Sequence, residues 1–80
     1  MKAIVSISLR SGVLDPEANA IAGALGRLGF DKVRSVRRVR QIELDLEISD
    51  RTVAEAEVKS MCDRLLANPV IEAYRIEMIG

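Results

Sequence analysis

The chain has 80 residues, with 12 basic and 12 acidic side chains that cancel to a formal net charge of zero. A chain of this length makes one small domain, residues 1–80. A neutral chain has no overall field that attracts nucleic acid or an anionic membrane, so neither is an expected partner. With one cysteine and no histidine, it has neither an internal disulfide nor a zinc cluster to support a small core. Association with another chain is then the expected source of added stability.

The start of the chain and its apolar runs indicate a cytoplasmic protein. Residues 1–9 contain no basic region followed by a long apolar stretch, so we expect no signal peptide. No apolar run approaches the roughly 20 residues that a membrane-spanning helix needs.

The first half of the chain predicts a strand followed by a helix. Along residues 2–9 the apolar Ala3, Val5, Ile7 and Leu9 fall on one face, with Ile4 as the exception, as in a half-buried strand. Asp15, Pro16 and Glu17 predict a helix start, because Asp caps free N–H groups, Pro suits the first helical position and Glu favours the positive end. A helical stripe follows, made of Ala18, Ile21, Ala22, Leu25 and Leu28. Gly29 is a natural left-handed stop.

Two further strands are predicted between residues 33 and 48. Residues 33–40 are rich in β-formers but alternate poorly, which suggests a bulge or turn near Arg38-Val39. Residues 41–48 alternate well, with Ile42, Leu44, Leu46 and Ile48 inward and Gln41, Glu43, Asp45 and Glu47 outward. In a hairpin the arginines of the first strand would face these acids, and each cross-strand pair contributes about 0.2–1 kcal/mol.

The last third predicts a helix and a final strand. Thr52 and Glu55 have capping-box spacing. The expected buried stripe consists of Val58, Met61, Cys62 and Leu65. Asn68, as a left-handed cap, and Pro69 should end the helix, and residues 70–78 form a strand.

The order β-α-β-β-α-β predicts an α+β, ferredoxin-like sandwich. Its four-stranded antiparallel sheet would carry two helices on one face. The other face would be open, and partners could dock there or at the sheet edges.

No catalytic, cofactor or metal site is predicted. The commonest general base, histidine, is missing, and Cys62 lies on a stripe expected to be buried. A carboxylate row at Glu43, Asp45 and Glu47 could bind a divalent cation, although pairing with the nearby arginines is favoured. The basic stretch from Lys32 to Arg40 lacks the sheet aromatics on which RNA bases stack.

Three segments resemble the PurS family, the small subunit of phosphoribosylformylglycinamidine (FGAM) synthase. The first runs from Val13-Leu14-Asp15-Pro16-Glu17 to Leu28-Gly29-Phe30. The second contains Val33, Val36-Arg37, Arg40 and Ile42-Glu43-Leu44, and the third runs from Met61-Cys62 through Leu65-Leu66-Ala67-Asn68-Pro69-Val70-Ile71-Glu72-Ala73-Tyr74-Arg75. One departure is Val39, where the family often has a glycine, so the local turn geometry is open.

The resemblance implies a non-catalytic subunit in purine biosynthesis. The family's enzyme converts formylglycinamide ribonucleotide, ATP and glutamine to the formylglycinamidine. ATP and magnesium are expected on the large synthase subunit and no cofactor on this one. The small subunit, typically a homodimer, would bridge the large subunit and the glutaminase subunit.

The candidate partner-binding residues are Arg37, Arg40, Asn68, Tyr74 and Arg75. Two alternatives stand beside these roles. Arg37 and Arg40 could instead pair with Glu43 and Glu47 inside the chain, and Asn68 could simply end a helix. A different function also fits the element order, an ACT-like regulatory domain that binds amino acids.

Overall fold

The computed structural model describes all of residues 1–80 and contains three strands and two helices. The strands are β1 (Lys2–Leu9), β2 (Arg40–Asp45) and β3 (Glu72–Ile79), and the helices are α1 (Pro16–Arg27) and α2 (Arg51–Met61). The sheet is antiparallel with the order β2-β1-β3. Neither helix is long and apolar enough to cross a membrane.

The core lies between the sheet and α2. The central strand β1 alternates as its sequence predicts, so that Ala3, Val5 and Ile7 are buried on one face. From α2, Ala54 and Val58 pack against them, and the inward side chains of β2 and β3 complete the cluster. One sheet face is thus covered, and the other remains open.

The predicted strand at residues 33–40 is wrong, and the sheet has three strands instead of four. None of residues 31–39 makes a backbone–backbone hydrogen bond, and only Arg40 belongs to a strand. The valines Val33, Val36 and Val39 recur every third residue, so they cannot all face one side of a pleated strand. The predicted hairpin between this segment and β2 therefore does not form.

Helix α1 begins as predicted but does not pack on the sheet. Asp15 is its N-cap and Gly29, with φ +93°, ends it. Only Ala18 of the predicted apolar stripe is buried, and α1 makes almost no contact with the sheet or α2. The second helix of the predicted two-helix layer is therefore absent from the covered face.

Helix α1 and the segment that returns from it form an arm, residues 15–38. The arm gives the chain an elongated shape of 49 × 26 × 14 Å, with a radius of gyration of 16.0 Å. A compact domain of 80 residues has a radius of gyration of about 12 Å.

Helix α2 differs from its prediction at both ends. Its N-cap is Asp50, which accepts hydrogen bonds from the Thr52 and Val53 N–H groups, so the capping box at Thr52 is wrong. At its other end the helix continues into a π-helical turn, Cys62–Leu66. The wider turn rotates the following side chains, and Leu65 is 83% exposed where the straight stripe would bury it.

Candidate partner-binding surface

Arg38 fastens the two ends of the arm together at its base. Its guanidinium lies 3.2 Å from an Asp15 carboxylate oxygen and 2.6 Å from a Glu17 oxygen. These partners are 23 and 21 residues away in sequence. Sequence reasoning missed this contact, since nothing local indicates which arginine of the basic stretch meets the acids at the helix start.

Asp15 has two roles at this point. Its Oδ1 accepts hydrogen bonds from the Glu17 and Ala18 N–H groups at 3.1 Å each, and it also accepts from Arg38. The Ala18 N–H and then the Arg38 guanidinium stabilise the charged carboxylate, so the pKa of Asp15 is lowered from its ordinary value of 3.8. The helix cap and the arm base therefore depend on one ionised side chain.

Arg40, Glu72 and Asn68 join the start of β2 to the turn before β3. Arg40 donates to the Leu66 carbonyl at 3.0 Å and lies 3.6 Å from a Glu72 carboxylate oxygen. The other Glu72 oxygen accepts from the Asn68 backbone N–H at 2.8 Å. The alternative in which Arg40 pairs with Glu43 or Glu47 is therefore wrong, because its carboxylate partner belongs to β3.

Asn68 organises the turn that leads into β3. Its side-chain oxygen accepts from the Val70 N–H at 3.1 Å, and its carbonyl accepts from the Ile71 and Glu72 N–H groups. No residue other than glycine has a positive φ, so the left-handed cap predicted for Asn68 is wrong. The guanidinium of Arg10 also holds this turn, by donating to the Pro69 carbonyl at 3.1 and 2.9 Å.

Tyr74 lies on the covered side of the sheet. Its hydroxyl donates to Asp63 Oδ1 at 2.8 Å, which joins β3 to the π-helical turn. This hydrogen bond, together with burial and the Asp63 charge, raises the pKa of Tyr74 above its ordinary value. Within the chain Tyr74 thus has a structural contact of its own.

Arg37 and Arg75 are brought together on the open face. They share a hollow of about 220 Å³ with Ser6 and Ser8. In the sheet register, Ser6 lies directly opposite Arg75. Neither guanidinium makes an ion pair within the chain. We call this group the basic hollow.

The opposite end of the open face is acidic. Ile4 of β1 lies opposite Glu43 on one side and Glu77 on the other. Lys2, two residues before Ile4 on the same face of β1, is 4.0 Å from Glu43. No three potential metal ligands lie close enough together to hold a metal ion, so Glu43 and Asp45 do not form a cation site with a third ligand.

Cys62 is buried, as its place on the apolar stripe predicts. Burial and the neighbouring Asp63 charge raise the pKa of its thiol. A buried thiol with a raised pKa is a poor nucleophile, because the reactive species is the thiolate.

The five predicted candidates therefore fall into two groups. Arg40, Asn68 and Tyr74 make specific contacts inside the chain, whereas Arg37 and Arg75 are exposed and unpaired around one hollow. Residues 68–75 and 37–40 are adjacent in space, although they come from different elements.

Comparison with known proteins gives the chain a family. Residues 2–80 match the PurS family model, described as phosphoribosylformylglycinamidine (FGAM) synthase. The chain belongs to the PurS family. The PurS subunit of Archaeoglobus fulgidus is 47% identical over 76 residues, which cover 95% of each chain. The PurS subunit of Bacillus subtilis is 44% identical over 77 residues, covering 96% of this chain and 90% of that one.

Solved PurS structures have the same fold as this chain. The crystal structure of Methanocaldococcus jannaschii PurS superposes with a TM-score of 0.87 at 43% identity, covering 95% of this chain and 92% of that one. A chain of the Thermotoga maritima PurLQS structure superposes with a TM-score of 0.89 at 31% identity, covering 98% and 95%. PurS membership favours an FGAM synthase subunit over the ACT-like alternative.

Proposed function

We propose that this chain is the non-catalytic assembly subunit of FGAM synthase. It would link the large ATP-dependent synthase subunit to the glutaminase subunit in purine biosynthesis. The observation that carries the proposal is the family match over residues 2–80. Its resemblance to a chain of the Thermotoga PurLQS structure, over nearly the whole of both chains, supports a role inside such an assembly.

The reaction of the assembly supports this role. Glutamine hydrolysis releases ammonia, and the ATP-dependent amidination consumes it at another active site. Holding two sites in a fixed orientation reduces the loss of a diffusing intermediate, since proximity replaces a bimolecular encounter. In this proposal ATP and magnesium bind to the large subunit, and this chain only orients the large subunit and the glutaminase subunit relative to each other.

The chain would act as a homodimer, and its exposed area supports this. A folded monomer of 8.8 kDa exposes about 4,800 Å², whereas this chain exposes 6124 Å². The excess, about 1,300 Å² per chain, would give about 2,600 Å² for a pair, which falls within the 2,000–5,000 Å² of obligate interfaces.

The arm carries much of the apolar surface that a second copy could cover. Leu28 is 73% exposed and Phe30 is 58% exposed, and Ile21 and Val33 are also exposed. Apolar surface of this extent on one element marks an interaction site in a soluble protein. The backbone N–H and C=O groups of residues 31–39 make no backbone hydrogen bond within the chain. A strand of a second copy could pair with them.

Reconstitution tests the proposal. The large subunit and the glutaminase subunit from the same organism are mixed with or without this chain, and glutamine-dependent amidination is assayed. We expect activity and a stable complex only when the chain is present. Equal activity without it would reject the assembly role. An assay with ammonium salt in place of glutamine is the control, because amidination from free ammonia needs no orientation of the two subunits.

A further inference from the structure

Arg37 and Arg75 on the open face have no side-chain partner within the chain, whereas Arg38 and Arg40, close to Arg37 in sequence, both have one. Arg38 binds Asp15 and Glu17, and Arg40 binds Glu72 and the Leu66 carbonyl. Arg37 and Arg75 come from different segments but line the same hollow. Two guanidiniums that line one hollow and have no partner within the chain offer a site for an oxyanion.

The basic hollow offers donors suited to a carboxylate. Each guanidinium has five N–H donors in a planar fork that matches a carboxylate geometrically. The hydroxyls of Ser6 and Ser8, which are half-buried on the same face, add donors from the hollow's floor. Hydrogen bonds between charged partners of this kind are about twice as strong as neutral ones.

The charges beside the hollow favour a protein surface over a free phosphate. Glu77 is two residues from Arg75 along β3, about 7 Å away at the rise of a strand. On the other side of β1, Glu43 lies opposite Ile4. These carboxylates repel a free dianion. A protein surface can instead place a carboxylate over the hollow and a lysine or arginine over the acidic end.

The polarity of the open face favours a different subunit over a second copy of this chain. Homodimer interfaces are more apolar than interfaces between separable partners. The arm carries exposed leucine and phenylalanine side chains, whereas the centre of the open face carries Ser6, Gln41 and Arg75 side by side. The apolar arm therefore suits a second copy of this chain, and the polar open face suits a different subunit.

We propose that the basic hollow receives an aspartate or glutamate side chain of a partner subunit of the synthase, while the acidic end of the open face receives a basic side chain of the same partner. This inference rests on the proposed function, because it supplies the surface by which the assembly role is performed. Arg37 and Arg75 would then be docking residues with no part in the chemistry.

Binding of the full chain to the purified large subunit and to the glutaminase subunit tests the inference. Arg37→Glu and Arg75→Glu are compared with Arg34→Glu, which makes the same charge change on an exposed arginine of the extended segment outside the hollow. We expect each hollow variant to raise the Kd for one partner subunit about 3- to 10-fold at about 50 mM salt. The difference should shrink at about 300 mM salt, because salt screens exposed charges. Arg75→Lys should retain part of the affinity, since it keeps the charge but loses the fork.

The possible outcomes separate this inference from the proposed function. If the wild-type chain assembles and supports activity but the hollow variants behave like Arg34→Glu, the docking site is wrong and the assembly role stands. If the wild-type chain binds neither subunit, both are rejected. If Arg75→Glu changes the self-association of the chain, the open face belongs to a second copy. If inorganic phosphate shifts the Ser6 and Ser8 amide resonances with a Kd below about 1 mM, the hollow is a free-anion site instead.

Discussion

Replacing Leu28 by serine tests whether the arm is a self-association surface. In the single chain Leu28 is 73% exposed, so the substitution removes little packing and should change the stability of an isolated chain by less than about 0.5 kcal/mol. In a dimer that covers the arm, the lost burial is about 1–2 kcal/mol per chain, somewhat below the 1.5–3 kcal/mol for complete burial of a leucine. A symmetric dimer loses this twice, so its Kd should rise about 30- to 1,000-fold.

Sedimentation equilibrium over a concentration series measures this change directly. Leu65→Ser is the matched control, because Leu65 is 83% exposed but belongs to the π-helical turn, away from the arm. We expect Leu28→Ser to dissociate at concentrations where the wild-type chain and Leu65→Ser remain dimeric. An unchanged Kd for Leu28→Ser, or a wild-type chain that is monomeric throughout, would refute the reasoning.

Three further predictions concern the core and its titrating groups. Val58→Ala removes two methyl groups from a fully buried site and should lower the free energy of unfolding by about 2–3 kcal/mol in urea titrations; a loss below about 0.5 kcal/mol would contradict the described packing. Cys62, buried with a raised pKa, should react with a thiol reagent in native buffer far more slowly than in denaturant; equal rates would place it at the surface. Because folding raises the pKa of Tyr74, its contribution to stability is complete below the ordinary value near 10 and is lost as pH rises through the folded value. Tyr74→Phe should therefore flatten the fall in stability above about pH 10, and identical curves would show that the Asp63 contact has no effect.

The elements with strong local signals could be predicted from the sequence. Strand β1 has apolar residues at the alternate positions Ala3, Val5 and Ile7, and α1 has Asp15 and Gly29 at its two ends. These features are fixed by neighbouring residues, so no knowledge of the rest of the fold is needed. The alternation of Ile42 and Leu44 likewise predicted which face of β2 turns inward.

The errors arise where distant residues or backbone variations decide the structure. The apolar stripe of α1 predicts that its side chains are buried, but it does not indicate which surface covers them. In the single chain most of these side chains are exposed. A single π-helical turn reverses the expected position of Leu65 without any Gly or Pro to mark it. The valine-rich segment 33–39 has strand-like composition but no partner strand within the chain.

The sequence predicted which residues belong to the candidate site, but it did not predict which of them contact one another. The basic stretch and the Asn68–Arg75 segment were both named as candidates, and the structure adds that they lie side by side. Which arginines remain unpaired could not be read from sequence, because Arg38 and Arg40 have partners 23 and 32 residues away, at Asp15 and Glu72. Once those contacts are known, the shared hollow distinguishes Arg37 and Arg75 from the other arginines without a partner.

The strand order also constrains how the chain folds while it is being synthesised. Strand β1 is made first, yet it occupies the middle of the sheet, between β2 and β3. Its register with β3 pairs Lys2 with Ile79, so one edge of β1 stays unpaired until the ribosome has added about 70 more residues. At 5–20 residues per second this interval is about 4–14 s. During that time the nascent chain presents an apolar strand with an open edge, which another chain can pair with.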